Sequence, residues 1–200
     1  MNRRLRVGLV VLGVILLFAV AGWWALSRRS YSFHGETVEP PAPATDFTLT
    51  DPDGKTFSLS DFRGKLVALY FGYTSCPDVC PTTMAALAQA MQELGSQADE
   101  VQVILVTVDP ERDTPDRLNT YVTAFDPRFI GLTGTPDQIA SAARPFGVLY
   151  KKQAGSSAPS YLVDHTATTT VIDKDGRVRL IWPYGTPPDE LAADLDHLLR

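Results

Sequence analysis

LVALYFGYTSCPDVCPTTMAALAQAMQEL, residues Leu66–Leu94, is the stretch on which the fold turns. Leu66–Tyr73 is an unbroken apolar and aromatic run, the pattern of a strand covered on both faces. From Pro81 the period changes to that of a helix: Met84, Leu87, Ala88, Met91 and Leu94 fall on one stripe, and Pro81 suits a first helical turn. A buried strand feeding an amphipathic helix is the start of a β-α-β unit. Between the two lies the turn that holds Cys76 and Cys80.

Working outward, Val101–Val108 is a second buried strand and Thr114–Phe125 a helix with Pro115 at its start. Phe129–Leu132 reads as a short strand, and Thr135–Phe146 as a third helix opened by Thr135-Pro136-Asp137. Thr168–Ile172 and Val178–Trp182 form a hairpin around Asp173-Lys174-Asp175-Gly176, and Thr186–Leu199 is the last helix. Upstream, Phe47–Thr50 and Thr56–Leu59 alternate about the turn Asp51–Gly54, a further hairpin. This order predicts an α/β class fold: a thioredoxin-like three-layer domain with a mixed sheet and an N-terminal β-hairpin. No glycine-rich phosphate loop opens any of the helices, so nothing points to a nucleotide.

The N-terminus has another character. Val7–Leu26 is a run of 20 residues without a charge. As a helix it would span roughly 30 Å, the thickness of a hydrocarbon core. Trp23 and Trp24 fall at the expected interface, and Arg3, Arg4 and Arg6 precede the run. A cleaved signal peptide ending near Ala19-Val20-Ala21 fits the length less well. The expectation is a single transmembrane helix in a bacterial inner membrane, with the N-terminus cytoplasmic and the domain periplasmic. Residues 1–28 are then the anchor, 29–45 a linker stiffened by Pro40, Pro41 and Pro43, and 46–200 the domain. Five of the 18 basic residues lie before position 30, leaving 13 basic against 23 acidic residues and a net charge of −10 beyond it. Such a surface repels a phosphate backbone, which argues against nucleic acid.

Two cysteines four positions apart close too small a loop to add much stability, so they read as functional. They sit at the C-terminal edge of the sheet, near a helix N-terminus that favours thiolate. Such a pair can form a disulfide, exchange one, or bind a soft metal. The C-x3-C spacing is wider than that of a C-x-x-C redox pair and suits a metal between two sulfurs, although a disulfide remains within reach. His34 in the linker and His197 on the last helix read as solvated surface histidines. His165 differs, because it follows the loop Gln153–Asp164 and precedes the strand Thr168–Ile172, an edge expected to face the cysteines. Two sulfurs and one imidazole nitrogen form a set that suits Cu(I), or Cu(II) with an added oxygen; zinc would need a fourth ligand. Asp78 and Asp164 are candidates for the layer of groups behind the ligands.

Tyr70–Met84 (YFGYTSCPDVCPTTM), Val108–Pro115 (VDPERDTP), Val163–His165 (VDH) and the hairpin Asp46–Lys65 closely resemble the Sco/SenC family. The resemblance runs from about the linker to the C-terminus. It implies a membrane-anchored, thioredoxin-like copper protein that helps assemble the binuclear copper site of cytochrome c oxidase subunit II. It places the copper ligands on Cys76, Cys80 and His165, with Asp78 and Asp164 matching the family's neighbouring aspartates. A copper donor chaperone and a thioredoxin-like reductant are the further partners expected. One departure is Ala167-Thr168-Thr169-Thr170, where relatives often carry a bulky aromatic residue. Two other roles use the same residues: a thiol-disulfide oxidoreductase with Cys76 and Cys80 as its redox pair, and a copper or redox sensor.

Overall fold

The structure is a computed structural model that describes residues 12, 14–18, 31–51, 53–153 and 161–200. Residues 33–200 form one compact unit and 1–32 another. In the latter, residues 12 and 14–18 are helical. Most of the expected membrane span lies outside the described residues. Among those described, no helix is long and apolar enough to cross a membrane.

The 33–200 unit is organised by its two most apolar strands, β4 (Leu66–Gly72) and β5 (Val101–Thr107). All seven residues of each are buried, so both faces of the sheet centre are covered. They pair in parallel from Leu66↔Val101 to Gly72↔Thr107, joined by helix α1 (Val79–Leu94). Helix α1 ends at Gly95, whose φ of 57° is a left-handed value that glycine adopts freely. Helix α2 (Pro115–Thr123) starts at Thr114, whose side chain accepts from the Arg117 N–H. Strand β6 (Ile130–Leu132) adds in parallel to β5. Helix α3 (Pro136–Ala143) opens with a Thr135/Gln138 capping box and leads into a 3-10 turn, Arg144–Phe146. Across β4, strands β9 (Thr169–Ile172) and β10 (Arg177–Trp182) add antiparallel to one another. Helix α4 (Pro188–Leu199) then packs against α1.

Two sequence expectations change. The linker 29–45 is not free of the domain: β1 (Glu36–Pro43) pairs antiparallel with β10 and forms one edge of a six-stranded sheet, in the order β1-β10-β9-β4-β5-β6. Prolines that read as a linker are tolerated here because an edge strand has a free side that needs no N–H. The loop Gln153–Asp164 is also not all loop. Strand β7 (Tyr150–Lys152) pairs with β8 (Val163–His165) in the register Tyr150↔His165 and Lys152↔Val163, outside the main sheet. Residues 154–160 of that loop lie outside the described residues. The expected hairpin is present as β2 (Thr48–Thr50) and β3 (Thr56–Ser58).

His34 is exposed, as expected of a surface histidine, but it is fastened to the domain. Its backbone N–H donates to both carboxylate oxygens of Asp194 at 3.2 Å, and its Nδ1 lies 2.9 Å from Oδ1. Asp194, fully buried on α4, also accepts from Gly35 N at 3.3 Å and Trp182 Nε1 at 2.9 Å. These contacts fasten the start of β1 to the last helix. His197 meets the Phe33 ring edge-on at 5.3 Å.

Candidate metal centre

The cysteine turn leaves β4 at Gly72 and enters α1 at Val79, so Cys80 stands inside the first helical turn, buried, while Cys76 is half-buried. First-turn N–H groups lack partners within the helix. One of them finds a sulfur: Cys80 N–H donates to Cys76 Sγ at 3.4 Å. The turn is pinned from the side by the α2 region. Asp113, buried, accepts from Thr74 N at 3.0 Å, Thr74 Oγ1 at 2.5 Å and Thr107 Oγ1 at 2.6 Å. Arg117 donates to Thr74 Oγ1 at 2.7 Å and Ser75 Oγ at 3.1 Å.

His165 arrives from the other side, at the end of β8. Its Nε2 lies 3.3 Å from Cys80 Sγ, and its Nδ1 lies 3.1 Å from the carbonyl of Thr166. A carbonyl can only accept, so Nδ1 carries the proton and the Nε2 lone pair faces the sulfur. The ring stands edge-on to Tyr70 at 6.0 Å and Tyr73 at 5.8 Å. The ligand atoms of Cys76, Cys80 and His165 all lie within 4.8 Å of one another.

The electrostatics of this group are set by burial. Removal from water pushes the Cys80 thiol up to about 12; the hydrogen bond from Tyr70 Oη at 3.6 Å opposes this. Burial also holds His165 below its ordinary value, against the Thr166 hydrogen bond and the charge of Asp164. The imidazole is therefore neutral near pH 7 and free to donate its lone pair. Two sulfurs and a neutral nitrogen are soft donors, and the set fits Cu(I) in low coordination.

The two aspartates stand further out. Asp78 directly precedes α1, exposed and making no side-chain cap hydrogen bond, with its Oδ1 accepting from Thr82 Oγ1 at 3.4 Å. Asp164 is exposed and accepts from Gln153 Nε2 at 2.8 Å. The atom that holds the His165 ring is the Thr166 carbonyl rather than either carboxylate. Sequence reading passed over Tyr70, Tyr73, Asp113 and Arg117. The tyrosines were hidden in an apolar run that reads as core. The polar pair belongs to a dense charged stretch, Asp109–Arg117, whose position directly after a buried strand was the available signal.

The family model described as SCO1/SenC matches residues 35–200. The chain belongs to the SCO1/SenC family. It is 36% identical over 147 residues to the "SCO2-like protein" of Rickettsia felis, an alignment covering 73% of this chain and 72% of that one. Solved Sco structures share the thioredoxin-like α/β fold. Apo Sco1 from Thermus thermophilus matches with a TM-score of 0.77 and 44% identity, over 85% of this chain and 99% of that one. Copper-bound ScoI from Bradyrhizobium japonicum matches with a TM-score of 0.72 and 39% identity, over 78% and 99%. BsSco, described as a member of the Sco family of cytochrome c oxidase assembly proteins, matches with a TM-score of 0.63 and 25% identity, over 82% and 98%. The match begins at Gly35, which agrees with β1 belonging to the SCO1/SenC domain.

Proposed function

We propose that this SCO1/SenC chain is a membrane-anchored copper carrier. Cys76, Cys80 and His165 hold one copper ion as cargo and pass it to the binuclear copper site of cytochrome c oxidase subunit II. The observation that carries this reading is the convergence of three donors around one point, with His165 85 residues beyond Cys80 in sequence. Copper-bound relatives of the same fold support it. Both thiols must be deprotonated to bind, so loading releases the Cys80 proton. Transfer proceeds by ligand exchange: an acceptor thiolate enters beside the half-buried Cys76, whose sulfur leaves the ion before that of buried Cys80. The neutral His165 nitrogen is the donor most easily surrendered, because it carries no charge to neutralise the ion. The apolar run Val7–Leu26 would anchor residues 1–28 and hold the domain, from Phe33 onward, at the outer face of a bacterial inner membrane.

Anaerobic titration of the reduced protein with Cu(I) tests the site. One tight site is expected, lost in Cys76→Ala or Cys80→Ala and weakened in His165→Ala. Binding no better than a Cys76→Ala/Cys80→Ala control refutes it. For delivery, a strain lacking the chain should show low subunit II copper that added copper restores.

The unequal exposure of the two thiols favours a second reading, dithiol reduction of the target. Cys76 attacks a partner disulfide as thiolate, forming a mixed disulfide and releasing one partner thiolate. Cys80 then attacks Cys76 Sγ, freeing the second partner thiol. Two electrons pass to the partner, and a Cys76–Cys80 disulfide remains. His165→Ala separates the readings: copper transfer should collapse while disulfide reduction survives.

A further inference from the structure

His165 and the two cysteines sit on segments that share no backbone ladder. Strand β8 pairs with β7, in a two-stranded unit outside the sheet that contains β4. Apart from the contacts of the His165 ring itself with Phe71, Tyr70 and Tyr73, the connection runs through side chains gathered around Arg112. Its Nε donates to Asp109 Oδ2 at 2.5 Å, and its Nη1 donates to the Tyr161 carbonyl at 2.7 Å. Its guanidinium lies 3.6 Å from the Tyr161 ring centre and 5.7 Å from that of Tyr73. Tyr161 Oη returns to Asp109 Oδ1 at 2.5 Å, and Val163 N–H donates to Tyr73 Oη at 3.2 Å. Asp109 is fully buried, and the Arg112 side chain retains 14% of its exposure. Residues 161 and 163 lead directly into His165, and Tyr73 leads directly into the cysteine turn.

We propose that Arg112 is a positioning residue for His165. It grips the buried Asp109 with one edge of its fork and the Tyr161 carbonyl with another, so β8 is held against Tyr73. That placement brings Nε2 of His165 to Cys80 Sγ. A lysine keeps the charge but not the fork: one compact ammonium cannot bond Asp109 and the Tyr161 carbonyl in those directions while stacking on the Tyr161 ring. The effect on copper rests on the carrier reading above; the placement of His165 does not.

The test uses the full chain, reduced and solubilised in detergent, with the variant Arg112→Lys. In the metal-free protein, the ring protons of His165 are shifted by the Tyr70 and Tyr73 rings that face it. NMR should show these shifts collapsing toward open-chain values in Arg112→Lys, while the Thr74 and Cys76 amides stay in place. Competition titration with Cu(I) should show a loss of about 10- to 100-fold, the usual effect of removing a group that orients a ligand. The loss should vanish when Arg112→Lys is added to His165→Ala. A merely structural role would leave the loss intact in that background and overturn the proposal. Unchanged His165 resonances would do the same. If Arg112→Lys fails to fold, Tyr73→Phe deletes the hydroxyl that meets Val163 N–H and Cys76, and should move the same His165 resonances by less; unchanged resonances would overturn the proposal. If the wild type binds no copper, the carrier reading falls and the NMR result still decides the role of Arg112.

Discussion

Substitution of Asp194 by alanine gives the clearest quantitative test of how the N-terminal strand is held. The carboxylate sits at zero exposure and takes hydrogen bonds from His34 N, His34 Nδ1, Gly35 N and Trp182 Nε1. In Asp194→Ala, the partly exposed His34 groups can turn to water. The Gly35 amide and the Trp182 indole N–H are buried and cannot. Each orphaned buried donor costs about 1–3 kcal/mol, so the sum is about 2–6 kcal/mol, and release from burying a charge trims it toward the lower half. With a urea m-value of about 2 kcal/mol/M, a loss of about 3 kcal/mol lowers the midpoint by about 1.5 M. The pH dependence is a second, independent readout. The hydrogen bond to Asp194 raises the His34 pKa above its ordinary value of 6.5, aided by the charges of Asp194, Glu190 and Asp189 and opposed by slight burial. The folded state thus binds the His34 proton more tightly than the unfolded chain does. The stabilisation is fully present below pH 6.5 and is lost as pH rises through the folded-state value. Urea unfolding followed by far-UV circular dichroism, at pH 6 and pH 8.5, should show this fall in the wild type and not in Asp194→Ala. An unchanged midpoint, or the same pH slope in both proteins, refutes the reasoning.

Three further outcomes are expected. Iodoacetamide near pH 7.5 should modify half-buried Cys76 well before Cys80, whose thiol is buried and held near 12; peptide mass spectrometry showing the reverse order contradicts the site geometry. Gly72→Ala would place a Cβ 2.7 Å from Tyr70 Cε1 and 3.0 Å from Cys80 Sγ, so about 1–3 kcal/mol of overpacking should appear in denaturation, with faster Cys80 alkylation. Asp113→Ala strands the Thr74 amide and two hydroxyls, so a loss of about 2–4 kcal/mol is expected. Cu(I) affinity should weaken with it as the cysteine turn loosens; an unchanged affinity would show that Asp113 serves the core alone.

The elements that could be read without a structure are those whose signal is local. A short apolar run rich in aromatic and β-branched residues and ending at a turn fits a covered strand, and the 3.6-residue stripe from Met84 to Leu94 fits a helix packed on one side. Boundaries were less legible. Helix α1 begins at Val79 rather than Pro81, because Asp78, with φ −146° and ψ −69°, is the last residue off the helical path. Strand β1 was invisible because its three prolines carry the composition of a linker, and only the neighbouring β10 reveals that the segment is paired. Strands β7 and β8 are three residues each, too short for a periodicity to register.

By itself, then, the sequence settled the α/β class, the central strands, the helices beside them and the isolation of Cys76 and Cys80 at a strand–helix turn. Those features depend on residues within about one helix length of one another. Tertiary structure alone decided that His165 meets Cys80, that Asp194 ties β1 to α4, and that Arg112 stands between the histidine strand and the cysteine turn. The physical reason is distance along the chain. His165 is 85 residues from Cys80 and Asp194 is 160 from His34, and such pairs are brought together by the order of strands in the sheet, which no local pattern of residues encodes.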